Sequence, residues 1–417
     1  MAYTPGVVIV GAGFGGLQCA KKLAGEDCQV TVLDQHNYHL FTPLLYQVAS
    51  SLLNPSDIAA PTRTILHGRG NVRFRLAKVI GVDFERREVQ TEEAGRVPYD
   101  YLVIAAGSTT NYFGSPSIEA HANGLKDLSE ALALRNHILR CLETAARLNP
   151  VESAPWLTFV VAGGGPTGVE YAGALSELTG QVLPREYPEL MDRQPRIVLI
   201  EGSENLLPPF APDLQRSARL ELEQKGVQVR LGVLVKGYDG DSVQLANGEE
   251  LPAKTLVWAA GVKPNSLAAA VAAPRSARGR IEVDGGLRIR GRTREFAIGD
   301  IAGFEQDGRD VPMLSAPAMQ QGRLAAANIL ASISGKRLRR FHYRDKGTMA
   351  TVGKGAAVAQ VGKLHLTGFA GWLAWLAIHL YYIIGFRNRL LVLAGWAWNY
   401  FRSDRPVRII TRAGPDG

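Results

Sequence analysis

Two stretches of this chain are built alike, and together they limit its fold more than anything else in it. VVIVGAGFGG at residues 7–16 and FVVAGGGPTG at residues 159–168 each run from an apolar strand into three spaced glycines. With 45 Gly in 417 residues, about half of one G-x-G-x-x-G match is expected by chance, so the flanking pattern has to decide. In the first copy the strand Val7–Val10 enters the loop at Gly11, a helical pattern follows from Leu17 to Leu23, and the strand Gln29–Leu33 ends on Asp34. The acid stands 23 residues after Gly11, the spacing of a dinucleotide fingerprint. The three glycines differ in what they do. Gly11 permits the tight turn, Gly13 leaves backbone bare for a pyrophosphate, and Gly16 brings helix against strand. The helix start offers unpaired N–H groups to phosphate, and Asp34 can accept hydrogen bonds from a ribose.

The second copy runs from Thr158–Ala162 through Gly163, Gly165, Pro166, Thr167 and Gly168 into a helix. Its acid lies further on: Arg196–Ile200 ends on Glu201, 38 residues after Gly163, because a longer crossover intervenes. Two fingerprints in one chain imply two dinucleotides. A carboxylate at the ribose suits a free 2′-hydroxyl, whereas a 2′-phosphate is repelled by up to about 4 kcal/mol at 4 Å and an effective dielectric near 20, so NADH is expected over NADPH. Two strands that end in Ala-Ala-Gly, DYLVIAAGS at residues 100–108 and TLVWAAGV at 255–262, follow their glycine loops at similar distances and let backbone run close against something bulky. A later segment, EFAIGDIA at 295–302, presents Asp300 after a short strand, placed for a ribityl hydroxyl or a pyrophosphate.

The fold class that follows is α/β, with two Rossmann-like, glutathione-reductase-like dinucleotide-binding domains and a C-terminal amphipathic helical membrane-binding segment. The expected boundaries are 1–112 with 273–362 for a discontinuous FAD-binding domain, 113–272 for an NADH-binding domain, and 363–417 for the membrane-association region. Composition excludes other classes. The chain is 46% apolar and 21% charged, so it is globular; its net charge of +8 is moderate, and its Lys and Arg are scattered over the first 360 residues without forming a nucleic-acid stripe. Cys19, Cys28 and Cys141 have no spacing for a disulfide framework or a metal site. The N-terminal apolar run lacks a basic leader and contains the loop glycines, so it reads as a core strand, and a reducing, cytoplasmic side is expected.

The chain resembles the type II NADH:quinone oxidoreductases, the single-subunit, non-proton-pumping respiratory NADH dehydrogenases of the two-dinucleotide-binding flavoprotein superfamily. The resemblance rests on the two loops, DQHNYHLFTPLLYQVAS at 34–50, SDIAAPTR at 56–63, AIGDIA at 297–302, DKGTMATVGK at 345–354 and the Trp-rich tail, and it runs almost end to end. It implies hydride transfer from NADH to non-covalent FAD, then two electrons to a membrane quinone, ubiquinone or menaquinone, with no metal. For FAD it implies Gly11, Gly13, Phe14, Gly15, Gly16, Asp34, Gln35, Thr42, Pro43, Ala106, Gly107 and Asp300. For NADH it implies the second loop with Glu170, Glu201, Ala260 and Gly261. Lys346 is then a candidate partner of reduced flavin or quinone oxygen, and Glu170 a proton relay or nicotinamide contact, against the plainer reading of a first-turn Glu favoured by the helix dipole.

One departure stands out. Where the family commonly reads Ala-Gln-x-Ala-x-Gln, this chain has Ser315-Ala316-Pro317-Ala318-Met319-Gln320 followed by Gln321, so Gln320 is kept and Ala316 replaces the first carboxamide. The quinone is assigned to Ala316, Gln320 and Gln321, with about 1 kcal/mol of binding lost through the missing hydrogen bond. Disulfide reductases and sulfide:quinone oxidoreductases of the superfamily need cysteines beside the flavin, and residues 38–48 hold none. The rivals are a soluble NADH-dependent ferredoxin or rubredoxin reductase and a slow NADH-binding flavoprotein with a signalling role.

Residues 366–386 carry no formal charge, and from Lys363 onward seven basic residues face only Asp404 and Asp416, with Arg412 the last of the seven. Trp372, Trp375, Trp396 and Trp398 lie here too. Trp with flanking Arg suits an anionic headgroup layer. The stepping of Trp372, Trp375, His379, Tyr382 and Phe386 by three and four suggests one interfacial face, favouring two in-plane amphipathic helices over a transmembrane hairpin or a buried helix pair. The expected location is peripheral, monotopic, on the cytoplasmic face of the cell inner membrane. Lipid surface and quinone are the expected partners, nucleic acid is not, and a homodimer is left open.

Overall fold

Runs of β-branched residues flanked by glycine form strands buried on both faces, as parallel sheets covered by helices require. The computed structural model describes residues 3–93, 95–402, 405 and 407–411; Asp404, Arg412 and Asp416 of the charge count lie outside the described residues. In chain order the principal strands are β1 (Gly6–Val10), β2 (Gln29–Asp34), β3 (Val72–Leu76), β4 (Tyr101–Ile104), β5 (Asn123–Gly124), β6 (Thr158–Ala162), β7 (Arg196–Ile200), β8 (Val227–Arg230), β9 (Thr255–Trp258), β10 (Glu295–Ala297), β11 (Thr348–Gly353), β12 (Ala356–Val361) and β13 (Leu364–Leu366). The principal helices are α1 (Phe14–Leu23), α2 (Leu45–Ala49), α3 (Leu128–Ala145), α4 (Pro166–Glu186), α5 (Ser315–Ile333), α6 (Gly368–Tyr382) and α7 (Phe386–Arg402).

The chain divides into two units. The first takes Met1–Leu40, Ala59–Thr109 and Val262–Lys346, and the second takes Phe41–Ile58, Thr110–Gly261 and Gly347–Gly417. Within the first, five parallel strands lie in the order β10-β4-β1-β2-β3. Within the second, five parallel strands lie in the order β5-β9-β6-β7-β8. The two sheets have the same construction. Each has its glycine-loop strand in the middle, where it is buried on both faces: Ile9 in one and Val161 in the other are fully covered.

The duplication goes beyond the loops. Each unit also carries a three-stranded antiparallel sheet, Val79–Asp83 with Glu88–Thr91 and Arg96–Pro98 in the first, and Val235–Tyr238 with Ser242–Leu245 and Glu250–Pro252 in the second. Both first strands are bulged, at Gly81 and at Gly237, and in both a glutamine side chain, Gln90 or Gln244, sits where a Cβ would stand, 3.0 Å away. Sequence reading did not find this pair, because short strands separated by turns carry little period.

The second unit adds an antiparallel sheet, β11-β12-β13, and the two tail helices. Helix α4 lies so close to β11 that a Cβ on Gly173 would be 2.3 Å from the Val352 carbonyl oxygen. No helix among the described residues is long and apolar enough to cross a membrane. The proposed face of the tail is only partly outward. Trp375 is 1% exposed, and His379 stacks on it at 4.0 Å, so the middle of the stripe read as interfacial is turned inward, while α6 ends at Tyr382 and Phe386, which is exposed, starts α7. The outward residues of α6 are Phe369, Leu373, Ile378 and Tyr381. Helix α7 buries Asn388 and Asn399 beside Val392 and Trp396, whereas Phe386, Leu390, Leu393 and Phe401 are exposed.

Candidate functional site: paired glycine loops

Each glycine loop can be built from what a side chain would strike. At Gly11, with φ 103°, a Cβ would lie 2.4 Å from the Ala105 carbonyl oxygen, and at Gly16 it would lie 1.9 Å from the Gly11 carbonyl oxygen. At Gly163, with φ 110°, it would lie 2.4 Å from the Ala259 carbonyl oxygen, and at Gly168 it would lie 1.8 Å from the Gly163 carbonyl oxygen. These four positions are closed by the protein itself. At Gly13 and Gly165 a Cβ would meet nothing within 4 Å, so these two glycines keep space open for something other than the chain. That division of labour fits a dinucleotide: outer glycines shape the turn and pack the helix, and the middle one admits the pyrophosphate.

The acids are matched as well. Asp34 Oδ2 accepts from the Ala12 N–H at 2.6 Å, and its other oxygen accepts from the His36 N–H at 2.7 Å. Glu201 Oε2 accepts from the Gly164 N–H at 2.5 Å, and its other oxygen accepts from the Ser203 N–H at 2.8 Å. Each carboxylate thus pins its own glycine loop and retains lone pairs for a ribose. Burial pushes the Asp34 carboxyl up, and the two amides hold it down. Helix α1 opens with Phe14 and Gly15, and α4 with Pro166 and Thr167; neither has a side-chain N-cap, which leaves first-turn N–H groups available to an anion.

Other assigned residues of the first unit gather around this loop. Ala105 N–H donates to Val10 at 2.7 Å, and Gly107 follows with φ 71°, which places Ala106 and Gly107 at the sheet's carboxyl end beside Gly11. Asp300 accepts from the Ser108 hydroxyl, and the Arg280 Nε donates to the Asp300 carbonyl oxygen at 3.2 Å. Gln321 is 1% exposed, and its Oε1 accepts from the Gly299 N–H at 2.6 Å, so its carboxamide braces the turn that holds Asp300. Gln320 is bound at both ends of its amide to the backbone of Arg344, donating at 2.9 Å and accepting at 3.1 Å. Ala316 stands in the first turn of α5, Lys346 and Gln35 are exposed, and Thr42 and Pro43 fall in the second unit as the start of the turn Thr42–Leu44. Ala260 and Gly261 follow the end of β9, and the Gly261 carbonyl accepts from the Asn111 N–H at 3.0 Å.

Two groups were missed. His39 is buried, donates Nδ1–H to the Ala12 carbonyl at 2.9 Å, meets the Phe14 ring edge-on, and is held neutral by burial with its pKa near 4. Arg280 is 3% exposed and bonds the Asp300 and Val311 carbonyls. Neither has a local signal: one is a His in an apolar run and the other an Arg among several.

In the second unit Glu170 lies beyond the first turn of α4 and is buried, so the helix dipole alone does not account for it. Its Oε1 accepts from the Thr351 N–H of β11 at 3.3 Å. The Trp375 indole comes near enough to favour the charged form but makes no regular hydrogen bond. Desolvation outweighs both contacts and pushes the carboxyl up to about 8. The neighbouring Tyr46 of α2 takes a hydrogen bond from Gln47 Nε2 at 2.8 Å, and Gln47 Oε1 accepts from the Trp396 indole at 2.8 Å.

Comparison with known proteins decides the family. The pyridine nucleotide-disulphide oxidoreductase family model matches residues 5–322. The type II NADH:quinone oxidoreductase Ndh of Mycobacterium tuberculosis is 35% identical over 97% of this chain and 90% of its own length. The chain belongs to the type II NADH:quinone oxidoreductases. The NdhA protein of the same organism is 36% identical over 97% of this chain and 89% of its own length. In fold, the chain is similar to the NDH2 structure from Plasmodium falciparum solved with NADH, at a TM-score of 0.89 and 19% identity, covering 98% of this chain and 100% of that one. The three cysteines are free and buried, so the disulphide in the wider family's name has no redox pair to form it here.

Proposed function

We propose that the chain oxidises NADH on the loop of its second unit and reduces a membrane quinone, with FAD held non-covalently on the loop of its first. The observation that carries this reading is the matched pair of open middle glycines, Gly13 and Gly165, each beside a loop pinned by a carboxylate. FAD, when bound, supplies the two-electron chemistry that side chains lack, taking hydride from NADH and passing electrons on to quinone. The chain's own part is to bind and orient. Asp34 and Glu201 take the riboses, Asp300 with its Ser108 and Arg280 supports takes a ribityl hydroxyl or the pyrophosphate, and the start of α5 with Ala316 and Gln320 faces the quinone. Lys346 offers a mobile positive charge, and Glu170 holds a proton at its carboxyl near neutral pH.

The outward apolar residues of α6 and α7 support a peripheral position on a lipid surface, which we assign to the cytoplasmic face of the cell inner membrane. Stopped-flow reoxidation of NADH-reduced protein by ubiquinone and menaquinone analogues tests the whole reading. Fast reoxidation by a quinone is expected; reduction by NADH followed by slow reoxidation with every quinone would point to a binding or signalling flavoprotein instead.

Glu201→Ala is expected to lower the preference for NADH over NADPH by about tenfold or more, since the charge that repels a 2′-phosphate is gone. The ratio of the two kcat/KM values is the measure, because loss of the Gly164 contact raises KM for both nucleotides. An unchanged ratio would remove Glu201 from the ribose.

Glu170 should also mark the stability profile. Below pH 4.5 the folded and unfolded states both keep this proton; between 4.5 and about 8 only the folded state does, so stability falls as pH rises through that window and levels off above it. Glu170→Gln lacks this slope. Melting temperatures across pH 4 to 9 should show the variant gaining on the parent up to about pH 8. Parallel curves would mean that the carboxyl titrates normally.

A further inference from the structure

After α7 the chain turns back into the second unit. Arg405 is 1% exposed. One Nη donates to the Ser50 carbonyl and hydroxyl at 3.3 and 3.1 Å, and the other to Glu177 at 2.9 Å and the Ala174 carbonyl at 3.4 Å. Val407 N–H then donates to the Ser51 carbonyl at 3.3 Å, Arg408 pairs with Glu186, and Thr411 exchanges hydrogen bonds with Asn136. Glu177 also pairs with Lys225 at 3.2 Å. The Glu177 and Ser50 contacts offset the cost of burying the Arg405 guanidinium, and a side chain of such length and volume drawn inside at 405 calls for a reason beyond attachment of the strap.

The reason lies in what Arg405 borders. A cavity of about 40 Å³ is lined by Arg405, Glu177, Gln47, Asn399 and Trp375, and by Tyr400, which is 38% exposed. It has room for two or three water molecules, and Asn399 Oδ1 and Arg405 Nε have no partner among the described residues, so polar sites for such water are present. Thr351, whose N–H donates to the Glu170 carboxyl, and Trp375, whose indole lies near it, line the same cavity. We propose that Arg405 is a positioning residue for Glu170: drawn in by Glu177 and Ser50, it plugs the cavity and keeps bulk water off the wall behind that carboxyl. The titratable groups facing this core are Tyr46, whose phenol senses Glu170, Glu177 and Arg405, Lys354 and the Tyr400 ring it lies over, both on the cavity wall, with Lys225 behind Glu177 and His379 stacked on Trp375. His379 is held neutral by its burial, whereas Glu177 is ion-paired with Arg405 and Lys225.

The inference rests on the reading of Glu170 as a dry, protonated carboxyl. It is tested with the pair Arg405→Ala with Glu177→Gln, which removes the plug without leaving a lone carboxylate at 177; Lys225, which loses its partner, is itself partly exposed. The readout is the titration of the protonated-carboxyl infrared band in the full-length protein, assigned by its loss in Glu170→Gln. The expected midpoint is lower than the parent's by about one pH unit or more, and the alkaline limb of the turnover profile should move with it. Arg405→Met with Glu177→Gln refills the volume with an uncharged stem and should return the midpoint to the parent value. If the alanine pair does not fold, Tyr400→Ala opens the same cavity from its exposed side and carries the same expectation. A parent-like midpoint in a folded, opened variant overturns the proposal, as does an equal shift in the methionine pair. A band that survives in Glu170→Gln would instead sink the reading of Glu170 itself.

Discussion

Gly165→Val should yield a yellow protein that NADH hardly reduces, and Gly13→Val a colourless one. The expectation is sharp because the added side chains find no protein atom within 4 Å of their Cβ, so the fold has no steric reason to fail. Only the bound nucleotide is displaced. A displacement of about 1 Å between nicotinamide and flavin is enough to lose on the order of a hundredfold in hydride transfer, so the Gly165 variant should lose at least that much in NADH-driven reduction while dithionite still bleaches its flavin. Gly168→Val serves as the contrast: its Cβ would lie 1.8 Å from the Gly163 carbonyl oxygen, so this variant should lose stability before it loses binding. Flavin absorbance, melting temperature and single-turnover reduction separate the three. A colourless Gly165 variant with a normal melting curve would mean that the loops have been given to the wrong nucleotides.

Replacing Phe386, Leu390, Leu393 and Phe401 by serine should release the protein from anionic vesicles with its flavin and turnover toward soluble quinone analogues intact. All four are exposed, with Phe386 and Phe401 at 76% and 81%, so the core loses little. Each contributes about 1 kcal/mol when partly inserted, roughly half of full burial, so four together are worth about a thousandfold in partition. Deleting the helices outright is a poorer test, because Trp375, Trp396 and Arg405 are core residues of the second unit. Retained vesicle binding by the quadruple variant would place the lipid contact elsewhere.

The loops, their strands and the two acids could be read without a structure because a glycine that must turn tightly or admit a phosphate is a local demand, recorded in place. Even Glu201 was legible at an unusual spacing, since it ends a strong strand. The tail could not be read in the same way. Helix α6 is apolar almost all round, so periodicity does not choose a face, and the choice of Trp375 as an inward residue was made by the sheet it packs on. Gln320 and Gln321 look like neighbours with one role; only their partners separate them, one held by the Arg344 backbone and the other bracing Gly299. Arg405, counted among surface charges of the tail, turned out to be among the most buried side chains in the chain.

What the amino-acid order alone determined is a duplicated nucleotide-binding pattern, because backbone conformation at a handful of glycines and strand ends is set within a few residues. What only the tertiary structure decided is the environment of ionisable groups: that Glu170 is dry, that Arg405 is interior, and that the apolar side of α7 faces out. Those properties depend on which distant segments exclude water from a given atom, and exclusion is a property of packing, not of neighbours along the chain.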